Sequence, residues 1–205
     1  TDNYLEFDDL EIEDITDEDL REYVGVSKFV ETINLSANLL KTLPTSVETY
    51  KNLKILLLRD NLLTSIPPAI ELLLSLEVLD LRLNKLVSLP VELCSLKNLN
   101  TLVVSSNSLE TLPKKIGNLS SLKHLNVRNN LLPSIPRSIG NLRDLEVLDC
   151  SINEIRSFPC LENLNKLKYF HAFDNMLKDD FTLFSSNNSV LEHINISRNY
   201  LETFP

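Results

Sequence analysis

The sequence predicts an α/β fold, a curved right-handed solenoid of about eight repeats with short parallel strands on its concave face. Three observations support this prediction. Proline recurs every 23 residues from position 44 to position 159. The apolar residues of seven of the repeats fit one template, LxxLxLxxNxLxx(L/I/F)P. Asparagine recurs with the same 23-residue step, followed by steps of 22 and 24, at Asn38, Asn61, Asn84, Asn107, Asn130, Asn153, Asn175 and Asn199.

The LxL pair of the template predicts a short strand with one face buried. In the first repeat these residues are Ile33 and Leu35, and a polar residue separates them. Because side chains alternate along a strand, both apolar residues point to the same side. One repeat cannot bury that side alone, so neighbouring repeats must stack and share a continuous core.

The asparagine and the proline predict how the chain leaves each strand. The asparagine side chain is expected to satisfy backbone groups of its own repeat and of the next one, which would form a ladder. Proline fixes φ and cannot continue a strand, so it marks the return path. The convex segment after it is expected to be irregular or to form short helices.

Charge divides the chain into two predicted regions. Residues 1–27 carry 11 acidic groups and one basic group, Arg21, whereas residues 28–205 carry 18 acidic and 19 basic groups. We therefore predict an acidic N-terminal segment with a capping helix over 1–27 and a repeat domain over 28–205.

The capping helix is predicted over residues 16–25. Thr16 is a candidate N-cap, with Asp19 three residues later as its reciprocal partner. Leu20, Tyr23 and Val24 would form the apolar face, and glycine follows at position 25. A helix here would cover the first repeat, because the ends of a solenoid expose apolar surface.

The segment before this helix, YLEFDDLEIEDI, mixes apolar and acidic residues. One interpretation is an edge strand or a solvated tail. The other is an intramolecular mask that meets the arginines of the concave face, or an acidic docking peptide. At the other end the template stops within a repeat, so we expect the protein to continue or another chain to cover this edge.

The seventh repeat departs from the template. Ala172 takes the second position of the LxL pair, and no Leu-Pro pair follows it. Aromatic and aliphatic bulk comes instead from Phe170, Phe181, Leu183 and Phe184. Either the unit is repacked with a convex loop, or that loop is a protruding contact surface.

The outward strand positions define a candidate partner-binding surface. An arginine row, an aspartate row beside it, exposed aliphatic residues and an aromatic cluster in the seventh repeat all fall on these positions. Aromatic and arginine side chains among apolar residues are typical of binding hot spots. The alternative is that apolar strand residues only reflect β-propensity. The candidate residues are Leu57, Arg59, Asp80, Arg82, Val103, Arg128, Asp149, Tyr169, His171 and Phe173.

The repeats over residues 28–205 resemble the leucine-rich repeat family. The 23-residue unit with LPKKIGNL at 112–119 and IPRSIGNL at 135–142 is similar to the intracellular subclass of Ras-suppressor and Ras-scaffold proteins. This resemblance implies binding of a protein partner, such as a small GTPase or a protein phosphatase. It also admits an alternative, because similar repeats precede the catalytic domains of signalling phosphatases, kinases and adenylyl cyclases.

Composition argues against several other classes. The formal charge of −9 disfavours nucleic-acid binding. No apolar run is long enough for a membrane span. The three cysteines lack metal-site or disulfide spacing and favour a reducing compartment.

The sequence therefore predicts a cytoplasmic protein-interaction scaffold in intracellular signalling. No catalytic motif, metal site or cofactor site is expected, so the chain itself is expected not to be an enzyme. In the alternative the repeats target a larger signalling enzyme, a serine/threonine phosphatase, kinase or adenylyl cyclase, whose catalytic domain lies outside this chain.

Overall fold

The computed structural model describes residues 3–22, 27–178, 184 and 188–202. Within them lies one sheet of nine parallel strands, paired in chain order from first to last. A solenoid of stacked coils produces this order, because each coil adds one strand beside the previous one. The strands are β1 (Tyr4–Glu6), β2 (Thr32–Asn34), β3 (Ile55–Leu57), β4 (Val78–Asp80), β5 (Thr101–Val103), β6 (His124–Asn126), β7 (Val147–Asp149), β8 (Tyr169–His171) and β9 (His193–Asn195).

The register of the sheet follows the sequence repeat. Leu56 of β3 pairs with Leu79 of β4, which is 23 residues later, and Leu79 pairs with Leu102 of β5. Each strand therefore presents equivalent template positions at equivalent heights. The predicted solenoid with its parallel strands on the concave side is confirmed.

The core is a single apolar column behind the sheet. The middle residue of each strand from β2 to β8 is at most 1% exposed. Full burial of a side chain of this size contributes roughly 1.5–3 kcal/mol before entropy is counted. In β9 the equivalent residue, Ile194, is 47% exposed because no further coil packs on it in the part of the chain that the structure describes.

The asparagine ladder forms, but it runs in the direction opposite to the prediction. Asn61 Oδ1 accepts a hydrogen bond from the Leu40 N–H at 3.0 Å, and its Nδ2 donates to the Leu35 carbonyl at 2.8 Å. Both partners belong to the preceding coil. The Nδ2 group also donates to the Leu58 carbonyl of its own coil at 3.2 Å. The prediction that the asparagine side chain bonds to the following coil is therefore wrong, because the side chain points to the preceding coil.

The residue before each ladder position has a positive φ. This left-handed conformation recurs with φ between 53° and 57° in every coil, and it turns the chain away from the strand. None of these residues is glycine, and one, Ile152, is β-branched and therefore strained there. The residues are Asp9, Ala37, Asp60, Leu83, Ser106, Asn129, Ile152, Asp174 and Arg198.

Short 3-10 helices cross the convex side of most coils, as the prolines predict. Pro44, Pro67, Pro90 and Pro136 each stand directly before such a helix, with φ between −66° and −59°. The helices are η1 (Thr45–Thr49), η2 (Pro68–Leu72), η3 (Val91–Ser95), η4 (Ile116–Asn118) and η5 (Arg137–Asn141). Residues 150–168, which are all described, contain no such helix.

Glycine permits close packing of two of these helices. A Cβ atom built on Gly117 of η4 would lie 2.0 Å from the Ser138 carbonyl oxygen of η5. Gly117 also donates its N–H to Ser138 Oγ at 3.3 Å. The IGNL segments of the sequence therefore reflect contact between adjacent coils.

The N-terminal segment forms an additional coil in front of the first repeat. Leu5 of β1 pairs with Ile33 of β2, and the backbone bonds of Phe7 and Asp9 reproduce those of later coils. Leu10 stands in the ladder position and is 57% exposed. The edge-strand interpretation is thus confirmed. Among the described residues no carboxylate of this segment pairs with a concave arginine, so the structure does not show the predicted mask.

The predicted helix cap is present at the start of α1 (Asp17–Glu22). The Thr16 N–H donates to Asp19 Oδ2 at 2.7 Å, and the Asp19 N–H donates to Thr16 Oγ1 at 3.2 Å. The helix packs against η1, where Asp17 Oδ1 accepts the Ser46 N–H at 2.8 Å. The predicted residues Tyr23 and Val24, and the glycine at 25, lie outside the described residues.

The irregular seventh repeat is repacked around aromatic rings. Phe170 lies edge-to-face between Phe158 and Phe184, with ring centroids 5.3 Å apart in each pair. Nδ2 of the buried Asn188 donates to the Leu161 and Leu164 carbonyls at 3.2 and 3.1 Å. Phe181 and Leu183, which were also expected to supply bulk, lie outside the described residues.

Candidate concave binding surface

The ten predicted site residues all occupy outward positions along the strands. Tyr169 begins β8, and the third residue of each strand and the residue two places after it provide the remaining positions. Burial alternates along this path, since Leu56 and Leu58 are buried whereas Leu57 between them is partly exposed. The third positions carry Leu57, Asp80, Val103, Asp149 and His171, and the later positions carry Arg59, Arg82, Arg128 and Phe173.

Arg82 is held by Asp80 rather than free. Arg82 Nε donates to Asp80 Oδ2 at 2.8 Å, and the Arg82 N–H donates to Asp80 Oδ1 at 3.1 Å. These bonds raise the pKa of Arg82 above its ordinary value. Asp80 itself is only 4% exposed, so its role is to fix the arginine.

Asp149 has a similar local role. Its Oδ1 accepts the Ser151 N–H at 3.0 Å, and Asn126 accepts the Arg128 N–H at the same distance. An Asp or Asn at the third strand position therefore closes the turn that follows. Sequence reasoning placed Asp80 and Asp149 on the surface but missed this bonding, which the offset of two residues would have suggested.

The most structured part of the surface joins Arg128 to Phe173. The Arg128 guanidinium lies 4.6 Å from the centre of the Phe173 ring, a cation–π distance. The two residues belong to coils that are not adjacent, and Ser151 lies between them in the same row. Ser151 is fully buried, so its small side chain lets the arginine reach across one coil.

Two further contacts extend this area towards β9. The Tyr169 hydroxyl donates to Glu192 Oε2 at 3.0 Å, and this bond raises the pKa of Tyr169. The rings of His171 and His193 lie 5.2 Å apart. We call the set Arg128, Tyr169, His171, Phe173 and His193 the aromatic patch.

Leu57 and Val103 lie away from the aromatic patch, in β3 and β5, and each is partly exposed. Arg59 is exposed, and no ion pair among the described residues includes it. The predicted site residues are thus spread over several coils, and the close side-chain contacts among them join Arg82 to Asp80 and Arg128 to Phe173.

A row of alternating charges flanks the strands, and sequence reasoning missed it. It occupies the position directly before each strand, where Lys54 pairs with Glu31 and Lys168 with Glu146, each at 2.9 Å. Pairing raises the pKa of both lysines and lowers that of Glu146. Reading this repeat position along the chain would have found it: Glu31, Lys54, Glu77, Asn100, Lys123, Glu146, Lys168 and Glu192.

Three further properties of the described residues concern metal binding, membrane insertion and the cysteines. No group of three or more His, Cys, Asp or Glu side chains there is arranged to hold a metal ion. No described helix combines the length and the hydropathy that crossing a bilayer requires. All three cysteines are free thiols, and burial raises the pKa of Cys94 to about 11.

A single parallel sheet whose concave face is not covered defines a class of repeat solenoids that present an extended recognition surface. The sequence profile of a leucine-rich repeat region matches residues 45–205. The chain belongs to the leucine-rich repeat family, whose domains typically act as protein-interaction modules.

Solved structures agree with this assignment. A leucine-rich repeat protein of Leptospira interrogans is 32% identical, with a TM-score of 0.80 over 89% of this chain and 47% of that one. The plant peptide hormone receptor RGFR1, solved in complex with RGF2, is 28% identical with a TM-score of 0.77, over 87% of this chain and 30% of that one. This chain thus spans less than half of either protein.

Internalin C2 of Listeria monocytogenes shares the fold at 24% identity, with a TM-score of 0.80 over 95% of this chain and 80% of that one. A comparison with curated proteins finds no significant match.

Proposed function

We propose that this chain is a protein-recognition scaffold that binds a partner protein on its concave face, centred on the aromatic patch. The observation that carries this proposal is the Arg128–Phe173 stack at 4.6 Å, which lies on the same face as Tyr169, a residue that is 39% exposed. Arginine and tyrosine side chains held in place lose little entropy on binding and are enriched in hot spots.

The surrounding surface supports this centre. Leu57 and Val103 supply apolar area, and Arg59 and Arg82 supply positive charge along the same face. Asp80 holds Arg82 in one orientation, and Asp149 shapes the turn below the patch. A partner with an apolar centre and a few carboxylates at its rim would complement such a surface. The RGFR1 complex is an example of this fold bound to another molecule.

The cellular context is also a proposal. Three free cysteines, two of them buried, suit a reducing compartment such as the cytoplasm. The subclass resemblance favours intracellular signalling, with a small GTPase or a protein phosphatase as the partner. If the repeats instead target a larger signalling enzyme, the same surface would carry the contact.

Binding is tested by comparing the chain with its Tyr169→Ala/Phe173→Ala variant. Purified small GTPases, in both nucleotide states, and phosphatase catalytic subunits serve as defined probes in titration calorimetry. We expect the variant to weaken the binding of a true partner by at least ~10-fold, as loss of hot-spot residues does.

The matched control is Tyr4→Ala/Phe29→Ala, which removes two exposed aromatic residues far from the patch. It should leave affinity unchanged. Equal affinity of the wild type and the Tyr169→Ala/Phe173→Ala variant for a bound probe would place the contact elsewhere and refute the proposed centre.

A further inference from the structure

A second surface feature lies on the flank where the chain passes from the ladder turn to the convex side. An open cleft of about 880 Å³ is formed there by three successive coils. Its residues come from the segments around consecutive Leu-Pro-type corners, so it runs along the solenoid rather than within one coil. It is lined by Lys114, by 134–138 and by 157–160.

The cleft arises from one missing residue. In the coil of β6, two residues separate Pro136 from the next buried residue, Ile139. In the coil of β7, only one residue separates the equivalent Pro159 from Leu161. This shorter coil has no 3-10 helix in residues 150–168, all of which are described. The convex layer therefore lacks the piece that would fill the space beside η5.

The packing distances agree with this origin. A Cβ atom on Gly117 would meet the Ser138 carbonyl oxygen of the next coil at 2.0 Å. A Cβ atom on the equivalent Gly140 would meet the nearest backbone atom, the Cys160 oxygen, at 3.3 Å. The contact is looser beside the cleft than one coil earlier.

The cleft carries positive charge without a compensating carboxylate. Lys114 and Arg137 follow the corner prolines directly and are exposed, whereas the same position holds Thr45, Pro68 and Val91 in earlier coils. No ion pair among the described residues includes Lys114 or Arg137. The described lining contains no Asp or Glu.

The positive character continues along the same flank. A neighbouring cavity of about 490 Å³ is lined by Arg156, Met176, Lys178 and Tyr200. Arg156 directly precedes Ser157, which lines the first cleft, so consecutive residues of one segment line the two cavities. An extended ligand could therefore contact cations over both.

We propose that this cleft binds an extended acidic segment of a partner protein. Carboxylates of the segment pair with Lys114 and Arg137, and an apolar side chain rests against Phe158 and Pro159. The hydroxyl groups of the lining serines donate hydrogen bonds to backbone carbonyls of the acidic segment and accept them from its backbone N–H groups. The cleft is separate from the aromatic patch, so this proposal does not depend on the concave site.

An acidic peptide fits this surface better than a nucleic acid does. The chain carries a formal charge of −9, which repels a polyanion with many phosphates more strongly than a short segment with a few carboxylates. Two cations and an apolar floor suit a few separated carboxylates with hydrophobic neighbours. Nucleic-acid affinity, in contrast, depends on many phosphate contacts.

Cys160 provides a built-in reporter for the test. It lines the cleft and is exposed, whereas Cys94 and Cys150 are buried, so a thiol reagent should label Cys160 first. Short random peptides displayed on phage are selected on the full 205-residue chain. Enriched peptides are then synthesised and titrated while alkylation of Cys160 is followed by mass spectrometry, with Cys160→Ser as the assignment control.

We expect the enriched peptides to be acidic and to slow Cys160 alkylation by at least ~10-fold at saturation. Lys114→Glu/Arg137→Glu should weaken their binding by at least ~10-fold, more so at low salt. Lys51→Glu/Arg143→Glu, which reverses two exposed cations outside the cleft, should bind normally. Tyr169→Ala/Phe173→Ala should also bind normally, which separates this result from the concave-site test.

Three outcomes would overturn the proposal. One is enrichment of peptides without an acidic bias. Another is unchanged Cys160 alkylation when an enriched acidic peptide is bound. The third is protection of Cys160 by a single-stranded oligonucleotide but not by the peptides, which would assign the cleft to nucleic acid.

Discussion

Asparagine 107 illustrates how one side chain joins two coils. Its Oδ1 accepts the Leu86 N–H at 2.9 Å, and its Nδ2 donates to the Leu81 carbonyl at 3.0 Å. Asn107→Ala leaves the Leu86 N–H without a partner and removes one of the two side-chain amide bonds to the Leu81 carbonyl, so we expect a loss of about 1–3 kcal/mol in the free energy of unfolding. Urea denaturation measures it. Asn141→Ala, at an exposed convex position, is the control. Equal stability of the two variants would contradict the ladder.

Strain at the left-handed position offers an opposite prediction. Ile152 has φ of 53°, which β-branched residues disfavour and asparagine tolerates. Ile152→Asn should therefore raise the free energy of unfolding by roughly 1 kcal/mol. Ile152→Val keeps the branching and should change stability little. A melting temperature that falls in the asparagine variant would show that the apolar contacts of Ile152 outweigh its backbone strain.

Asn107 and Ile152 show which properties of single residues could be predicted from the sequence and which could not. The 23-residue spacing identified Asn107 as structural, because a catalytic role would not recur in every repeat. It could not identify Ile152 as left-handed, since the usual signal for that conformation is glycine or asparagine. The direction of the ladder also depended on coordinates, because either neighbouring coil offers the same backbone groups.

Helix packing on the convex side makes a prediction at the scale of elements. Gly117→Ala places a Cβ atom against a backbone oxygen that cannot move cheaply, so we expect a loss of about 1–3 kcal/mol. Gly140→Ala has more room and should cost less than about 1 kcal/mol. Thermal unfolding of both variants checks the difference. An equal effect would mean that η4 and η5 shift apart freely.

The cap of α1 makes a prediction about pH. The hydrogen bonds from Thr16 lower the pKa of Asp19 below its ordinary value of 3.8. A lowered pKa means that the cap is fully present above that ordinary value and is lost as pH falls through the lower folded value. The protection factors of the α1 amides, which correct for the intrinsic pH dependence of hydrogen exchange, should therefore fall only in strong acid when followed by NMR. In Asp19→Asn this acid step should disappear, and its persistence would assign it to another group.

At this scale the sequence predicted α1 and the strands well, because each has a local signal. The Thr16–Asp19 spacing is such a signal, and so is the LxL alternation. For β1 it left two alternatives open. Leu10 replaces the ladder asparagine, and the coil is five residues longer than the regular 23-residue coils, since Leu5 pairs with Ile33 28 residues later. The local pattern was too degenerate to reveal the repeat.

For the molecule as a whole, the template predicted the rows of the candidate site, because the period places every outward residue. It could not predict that Arg128 reaches Phe173 across Ser151, or that Arg82 donates hydrogen bonds to Asp80. Such contacts depend on side-chain length and rotamer, which the period does not encode. The 22-residue step between Asn153 and Asn175 did signal an irregular coil, but only the coordinates show the cleft that results.

The contact between Arg128 and Phe173 has a consequence for how the molecule opens. In a linear array each layer is stabilised mainly by its neighbours. This contact passes over Ser151 and joins coils that are not adjacent, so it couples the opening of two successive interfaces between coils. A partner seated on the aromatic patch would hold the same coils together and would slow amide exchange in them.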